Sequence, residues 1–208
     1  MQTLKNIQTK DYIAQAIRNE ILSGNIEPEE ELAQETLAQM LGVSRMPVRE
    51  ALQTLVQEGF AVRLPNRHIQ AVVPDTEQLH DIFRVIAVME AEYLIIGAER
   101  GAGLEEIQSL TDKLKDTEDP EEKIRMEKAF HELVLKLPGN VYLEQLEKRA
   151  VDGYAAYAME NFGEKDRALG MLENVVKAAQ GRDEAAVRRQ MKEYYQMYAD
   201  EFARRWNR

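Results

Sequence analysis

In the stretch LGVSRMPVREALQTL, Leu41 to Leu55, two arginines, Arg45 and Arg49, stand on either side of Met46-Pro47 where an amphipathic helix opens. Guanidinium groups at that spacing can donate to phosphate oxygens or, in pairs of bonds, to guanine edges. Gln53 continues the row, and long side chains along it can lean outward while their stems stay packed. Farther on, IRMEKAFHELVLKL sets Glu127 and His131 four residues apart, adjacent on one helical face with Ile124, Phe130 and Val134. An inward carboxylate and imidazole need partners, which predicts an interior polar cavity or, alternatively, a satisfied cluster with a side chain from another helix. Acid-base catalysis by this pair has little support, because no nucleophile beside a base and no phosphate-cradling glycine loop accompanies it.

The elements that must position these groups are legible around them. Ser44 is a suitable N-cap and Pro47 falls in the first turn, where a missing N–H breaks no intrahelical bond. Val48, Ala51, Leu52, Leu55 and Val56 form the buried stripe, and Gly59 closes the helix. Upstream, DYIAQAIRNEIL turns Ile13, Ala16, Ile17 and Ile21 to one face, and the short QETLAQML stops at Gly42. Three short helices with a glycine turn between the last two make a helix-turn-helix, whose second motif helix enters the major groove by its N-terminal residues. After Gly59 the period falls to two: Phe60, Val62 and Leu64, then Ile69, Ala71 and Val73, flank a loop PNRH. This predicts a β-hairpin wing with Asn66, Arg67 and His68 at its tip, suited to the minor groove or its flanking phosphates.

Composition limits the partners. The chain has 208 residues, 44% hydrophobic and 31% charged, enough for one large or two small domains with real cores. No run nears the roughly 18 apolar residues of a membrane span, and Met1 to Lys10 lacks a signal peptide's pattern, so a cytoplasmic protein without membrane partners is expected. Without cysteine there is no disulfide, no thiolate nucleophile and no cysteine metal site. A net charge of −10 excludes coating nucleic acid by general electrostatics. Between Ser44 and His68, however, Arg45, Arg49, Arg63 and Arg67 outnumber Glu50 and Glu58. Any DNA binding is local.

On these residues, LAQETLAQMLGVSRMPVREALQTLVQEGFAV resembles the winged helix-turn-helix of GntR-type bacterial transcription regulators, whose typical form runs LA..LGVSR.PVREAL..L..EG. The resemblance implies that Ser44, Arg45 and Arg49 face DNA, with Met46, Pro47 and Gln53 beside them and Arg67 and His68 in the wing. Two positions depart from the pattern: PEEEL stands for the usual PGE.L, and His68 stands where many members have a wing-tip glycine.

From Pro74 to Arg208 the chain reads as helix, broken at Gly101 to Gly103, Asp116 to Pro120, Pro138 to Asn140, near Phe162-Gly163 and at Gly181. That predicts an antiparallel bundle of about six helices. MEAEYL, FHELVLKLPGN and GRDEAAVRRQM resemble the bundle of the FadR subfamily (the FCD-type domain), many members of which hold a divalent metal with one aspartate and three histidines. Carried over, His131 matches one histidine and Glu127 the aspartate, while Leu172 and Tyr194 fall at the other two, and the family's early arginine becomes Ile86 with Arg84 nearby. Three or four ligands are wanted for a stable transition-metal site, so no metal and no cofactor are expected. In their place Arg84, Glu127, His131, Asn140, Tyr154, Tyr157, Leu172, Tyr194 and Tyr198 form the expected effector pocket, its tyrosine hydroxyls both donors and acceptors.

The expected fold is therefore mainly α, with a winged helix-turn-helix over residues 1–73 and an all-α bundle over 74–208. The expected protein is a homodimeric transcription regulator, not an enzyme. It would read double-stranded DNA with inverted half-sites and respond to a small organic, carboxylate-containing effector. The alternatives are a metal-dependent helical enzyme centred on Glu127 and His131, and a protein-interaction bundle whose winged domain binds protein.

Overall fold

The computed structural model describes residues 9–101, 103–114, 117–163 and 165–206. Contacts gather the chain into two units that divide between Asp75 and Thr76.

The first unit contains α1 (Thr9–Leu22), α2 (Gln34–Leu41), α3 (Arg45–Glu58) and an antiparallel hairpin of β1 (Ala61–Arg63) and β2 (Ile69–Ala71). Helix α1 packs on α3, and the two supply Ile13, Ile17 and Ile21, and Val48, Leu52 and Leu55, to one core. Each such aliphatic burial stabilises by about 1.5–3 kcal/mol. Gly42 ends α2 in the left-handed conformation (φ 65°), its N–H serving the carbonyls of Ala38 and Gln39.

The hairpin corrects one expectation. Strict alternation puts Val62 on the core side, yet Val62 is 44% exposed while Phe60 and Ala61 are both buried. Phe60 still belongs to the helix end, its N–H donating to the Leu55 carbonyl at 2.9 Å. The strand starts one residue later, so Ala61 pairs with Ala71, and Val62 opposes Gln70.

The departure at PEEEL also has a structural expression. Residues 29–32 run beside β2: Glu29 N–H donates to the Ala71 carbonyl (3.3 Å), Ala71 N–H to Glu30 (2.9 Å) and Leu32 N–H to Ile69 (2.8 Å). Glu29, at the position where the resemblance has glycine, is held at φ 62°. A side chain in that region costs about 1–2 kcal/mol, partly offset by the lower chain entropy of a non-glycine residue when unfolded. Glu29→Gly is thus expected to stabilise the chain by about 0.5–1 kcal/mol. Thermal melts check this, and a lowered Tm would show that Glu29 gains more from its side chain than it loses in strain.

Among the described residues the second unit is a bundle of seven helices: α4 (Thr76–Arg100), α5 (Leu104–Leu114), α6 (Pro120–Val134), α7 (Val141–Val151), α8 (Tyr154–Asn161), α9 (Lys165–Gln180) and α10 (Glu184–Trp206). The additional helix comes from a break inside VDGYAAYAM, where Gly153 takes φ −103° and ψ −116°, far from helical values. The two longest helices, α4 and α10, pack most extensively on each other, and α10 also on α9. Phe83, Phe130 and Phe202 are fully buried among them. No helix of the described residues is long and apolar enough to cross a membrane.

Candidate nucleic-acid interface and interior polar cluster

Ser44 has the extended backbone of an N-cap (φ −72°, ψ 162°), but its side chain makes no capping bond, contrary to expectation. Its hydroxyl is exposed at the start of α3, next to Arg45 and Met46. Arg45, Arg49 and Gln53 are all exposed, and Pro47 is half-buried. The two arginines differ in one respect. Arg45 is ion-paired with Glu35 of α2, whereas Arg49 has no carboxylate partner among the described residues.

The wing tip is a tight turn. Arg67 N–H donates to the Leu64 carbonyl (2.9 Å), and Asn66 Oδ1 accepts from His68 N–H (3.1 Å). The left-handed residue of this turn is Arg67 (φ 71°), one place before His68. Arg67 is exposed, while the His68 ring is turned to Glu31, with Nδ1 2.7 Å from Oε1. Arg45, Arg49, Arg63 and Arg67 are thus all exposed on a unit whose remaining charge is largely acidic.

In the second unit, five helices bring polar side chains into the core. His131 Nδ1 (α6) lies 2.7 and 2.9 Å from the two carboxyl oxygens of Glu90 (α4), and Nε2 lies 2.9 Å from the Tyr194 hydroxyl (α10). The Tyr194 hydroxyl donates to Glu127 Oε1 at 2.7 Å, and the Tyr198 hydroxyl donates to the same oxygen. Lys165, at the start of α9, sets Nζ 3.0 Å from Glu127 Oε2, 3.2 Å from the Tyr198 hydroxyl and against the Met159 carbonyl. The Tyr195 hydroxyl stands 3.4 Å from His131 Nδ1, beside Glu90. Glu147 (α7) completes the set. Its residue is 1% exposed, and neither carboxyl oxygen makes a hydrogen bond of ordinary geometry, although the group lies close enough to Glu90 for the two to interact.

Burial decides the protonation of this cluster. It lowers the His131 pKa to about 4 against the pull of the Glu127 and Glu147 charges, so the ring is neutral. Burial raises Glu90 to about 7 and, with the Glu90 charge adding, raises Glu147 to about 10. The hydroxyls of Tyr194 and Tyr195 are held neutral by burial first and the neighbouring carboxylates second. A consistent direction of donation follows. Tyr194 gives its one proton to Glu127, so His131 Nε2–H must donate to the Tyr194 oxygen, and Nδ1 accepts from a protonated Glu90. The charges that remain, Glu127 and Lys165, are paired with each other.

Of the residues expected in the pocket, Glu127, His131, Tyr194 and Tyr198 come together. Others do not. Arg84 is on the outer side of α4, paired with Asp81 at 2.8 Å, because the inward positions of that turn belong to Phe83, Ile86 and Ala87. Asn140 is exposed and caps α7, its Oδ1 accepting from the N–H groups of Tyr142 and Leu143. Tyr154 and Tyr157 are half-buried and pack around Phe202, each with ring centroids 5.8 Å from it. Leu172 is fully buried and apolar.

The metal implied by the resemblance does not fit these residues. Leu172 offers no donor, and the Lys165 ammonium already holds the carboxylate that would ligate it. Among the described residues no three acidic or histidine side chains are arranged to hold a metal ion.

Glu90, Glu147 and Lys165 were not among the residues expected, whereas Tyr195 stands on the aromatic face of the last helix that the sequence offered to the pocket. Two left a signal: Glu90 interrupts the stripe of Phe83, Ile86, Ala87, Ala91 and Leu94, and Glu147 stands four residues from both Leu143 and Val151.

Comparison with known proteins bears on both units. The model described as bacterial regulatory proteins, gntR family, matches residues 9–69, and that of the FCD domain matches residues 81–197. The HTH-type transcriptional repressor GlaR of Escherichia coli (strain K12) is 30% identical over 151 residues, 68% of this chain and 68% of that one. The uncharacterized HTH-type transcriptional regulator YdhC of Bacillus subtilis (strain 168) is 27% identical over 141 residues, 62% of this chain and 61% of its own length. Among solved structures, Lar, described as controlling the Listeria monocytogenes agr system, superposes with a TM-score of 0.66 at 17% identity, covering 97% of this chain and 99% of that one. Escherichia coli McbR/YncC gives 0.57 at 22% identity, covering 91% and 94%. At these identities the superpositions speak for the fold.

Proposed function

The chain belongs to the gntR family of bacterial regulatory proteins, with an FCD domain after the winged unit, and from that premise we propose how it works as a transcription regulator. It binds operator DNA through α3 and the wing, and its bundle binds a small effector that changes operator affinity. The observation that carries the DNA part is the exposed row of Arg45, Arg49 and Gln53 at the open end of a helix whose opposite face is buried. Ser44, Met46 and Pro47 flank that row, and Arg67 extends contact to the minor groove or its phosphates. A second copy supplies the second half-site. Apolar side chains left exposed on α4 (Val85, Val88) and α7 (Val141, Tyr142, Leu146) are the surface proposed to meet it. Neither an enzyme nor a membrane protein is needed to account for these features, and the reading places the protein in the cytoplasm, where its operator is.

The effector part rests on the buried cluster. Five helices converge on Glu90, Glu127, Glu147 and His131, so a molecule bound there alters several helix contacts at once, and it shifts DNA binding by its preference for one arrangement. Selection of genomic fragments with the purified protein, followed by footprinting, should yield inverted half-sites. The effector's influence on that binding, measured as the ratio of affinities with and without it, should fall at least fivefold in Tyr194→Phe. Selected fragments that share no motif would overturn the DNA assignment, and an unchanged ratio would remove the cluster from effector sensing.

A further inference from the structure

The cluster has two acidic ends, and they are differently furnished. At one end the Glu127 carboxylate, the Tyr198 hydroxyl and the Met159 carbonyl surround the Lys165 ammonium, which also lies 5.4 Å from the centroid of the Tyr198 ring. This is the environment an alkylammonium prefers: a carboxylate, neutral oxygen acceptors and an aromatic face. At the other end stand Glu90, Glu147 and Tyr195, one helical turn earlier on α10 than Tyr198, with Phe83 beside Tyr195 at 6.2 Å between centroids. The components repeat, but among the described residues no lysine or arginine is paired with Glu90 or Glu147. Instead both Glu147 oxygens are buried without a hydrogen bond of ordinary geometry.

A buried carboxyl whose nearest polar neighbour is a second carboxyl is costly, and a cation set between the two offsets that cost. We propose that the Glu90–Glu147 end binds the ammonium group of a small organic amine, which is the effector's recognition group. This rests on the effector reading above and changes the ligand class expected from the sequence. A carboxylate ligand would bring a further anion to two buried carboxyls while the lysine of the cluster is already paired with Glu127, whereas an ammonium can take the place of the proton that Glu147 releases and keep the charge balance. A metal ion lacks a suitable three-ligand arrangement among the described residues.

Access runs through α7. That helix buries only Glu147 and Val151, against nine buried residues on α10. Within its own chain the helix that brings Glu147 into the core is therefore held by little apolar surface, and displacing it there is cheap relative to moving α4 or α10. When the ammonium enters, the Glu147 proton leaves to solvent and Glu147 becomes a carboxylate, while Glu90 keeps its proton directed at His131 Nδ1. The groups facing Glu147 in this exchange are Glu90 and Tyr93 from α4, His131 from α6, Tyr195 from α10, and Asp152 at the end of its own helix.

The test is calorimetry of the full chain with n-butylammonium chloride and 1,5-pentanediammonium chloride, and with sodium butyrate as the anionic counterpart. Each is run in two buffers of different ionisation enthalpy. At least one ammonium should bind saturably with release of about one proton, and Glu147→Gln, verified as folded by its melt, should weaken it at least tenfold, while Glu147→Asp retains part of the affinity. Ammonium binding undiminished in Glu147→Gln would place the site elsewhere and overturn the proposal. Butyrate binding that is lost in Tyr194→Phe, with no ammonium binding, would overturn the amine assignment and leave the effector reading standing. If neither ammonium binds, the amine assignment fails, and if metabolite extracts also leave operator affinity unaltered, the effector reading fails with it.

Discussion

Arg45→Ala combined with Arg49→Ala is expected to weaken operator binding at least about 100-fold and to leave the melting temperature of the protein within a few degrees of its original value. Each arginine that reaches a phosphate or a guanine edge contributes roughly 1–3 kcal/mol, and about 1.4 kcal/mol is a factor of ten. Both side chains are exposed on α3, outside the core of Val48, Ala51, Leu52 and Leu55, so their removal opens no cavity. The two are not equivalent. Arg45 must leave Glu35 before it can engage DNA, and that exchange of one anionic partner for another lowers its net gain. Arg49→Ala should therefore cost more than Arg45→Ala, and Glu35→Gln should strengthen binding severalfold. Gel-shift titrations at fixed salt measure all four variants. An unchanged affinity in the double variant would remove α3 from the interface.

The winged unit was legible because its signals are local. Gly42 and Gly59 end their helices where the sequence places the ends, and both carry the positive φ that makes glycine suitable there. The same logic explains what was missed. Glu29 and Arg67 hold left-handed positions without being glycine, so residue type gives no sign of the turn. The break at Gly153 was hidden by the apolar and alanine-rich residues around it. In the bundle, the i, i+4 pairing of Glu127 and His131 is a property of one helix and could be read directly. Their partners Glu90, Glu147 and Lys165 lie on three other helices, at separations of tens of residues, and nothing local in a sequence states which helices will meet. Arg84 and Asn140 fail for the converse reason. Each was a polar residue near the right place along the chain, but Arg84 occupies the outward side of its turn and Asn140 is committed to capping α7.

The cluster also makes the stability of the bundle depend on pH in an uncommon direction, and Glu147→Gln should expose it. Glu147 keeps its proton in the folded chain up to about pH 10 but releases it near its ordinary 4.5 when unfolded, and Glu90 keeps its own to about 7. The native state thus binds more protons than the unfolded state above pH 4.5, and stability falls as pH rises, at about 1.4 kcal/mol per pH unit for each proton. His131 acts the other way, since its depressed value of about 4 against 6.5 makes stability rise with pH between those limits. One of the two carboxyl contributions is cancelled there, and above 6.5 both act unopposed until Glu90 ionises. Glutamine at 147 keeps the shape and the neutral charge without the titration. The variant should therefore lose less stability between pH 5 and 9 than the parent chain, and at pH 8 it should be more stable by about 2 kcal/mol or more, a Tm rise of several degrees. Melts or denaturant titrations across that range decide the matter. Parallel pH profiles, or a variant less stable at pH 8, would mean that Glu147 is ionised in the folded chain and already has a partner there.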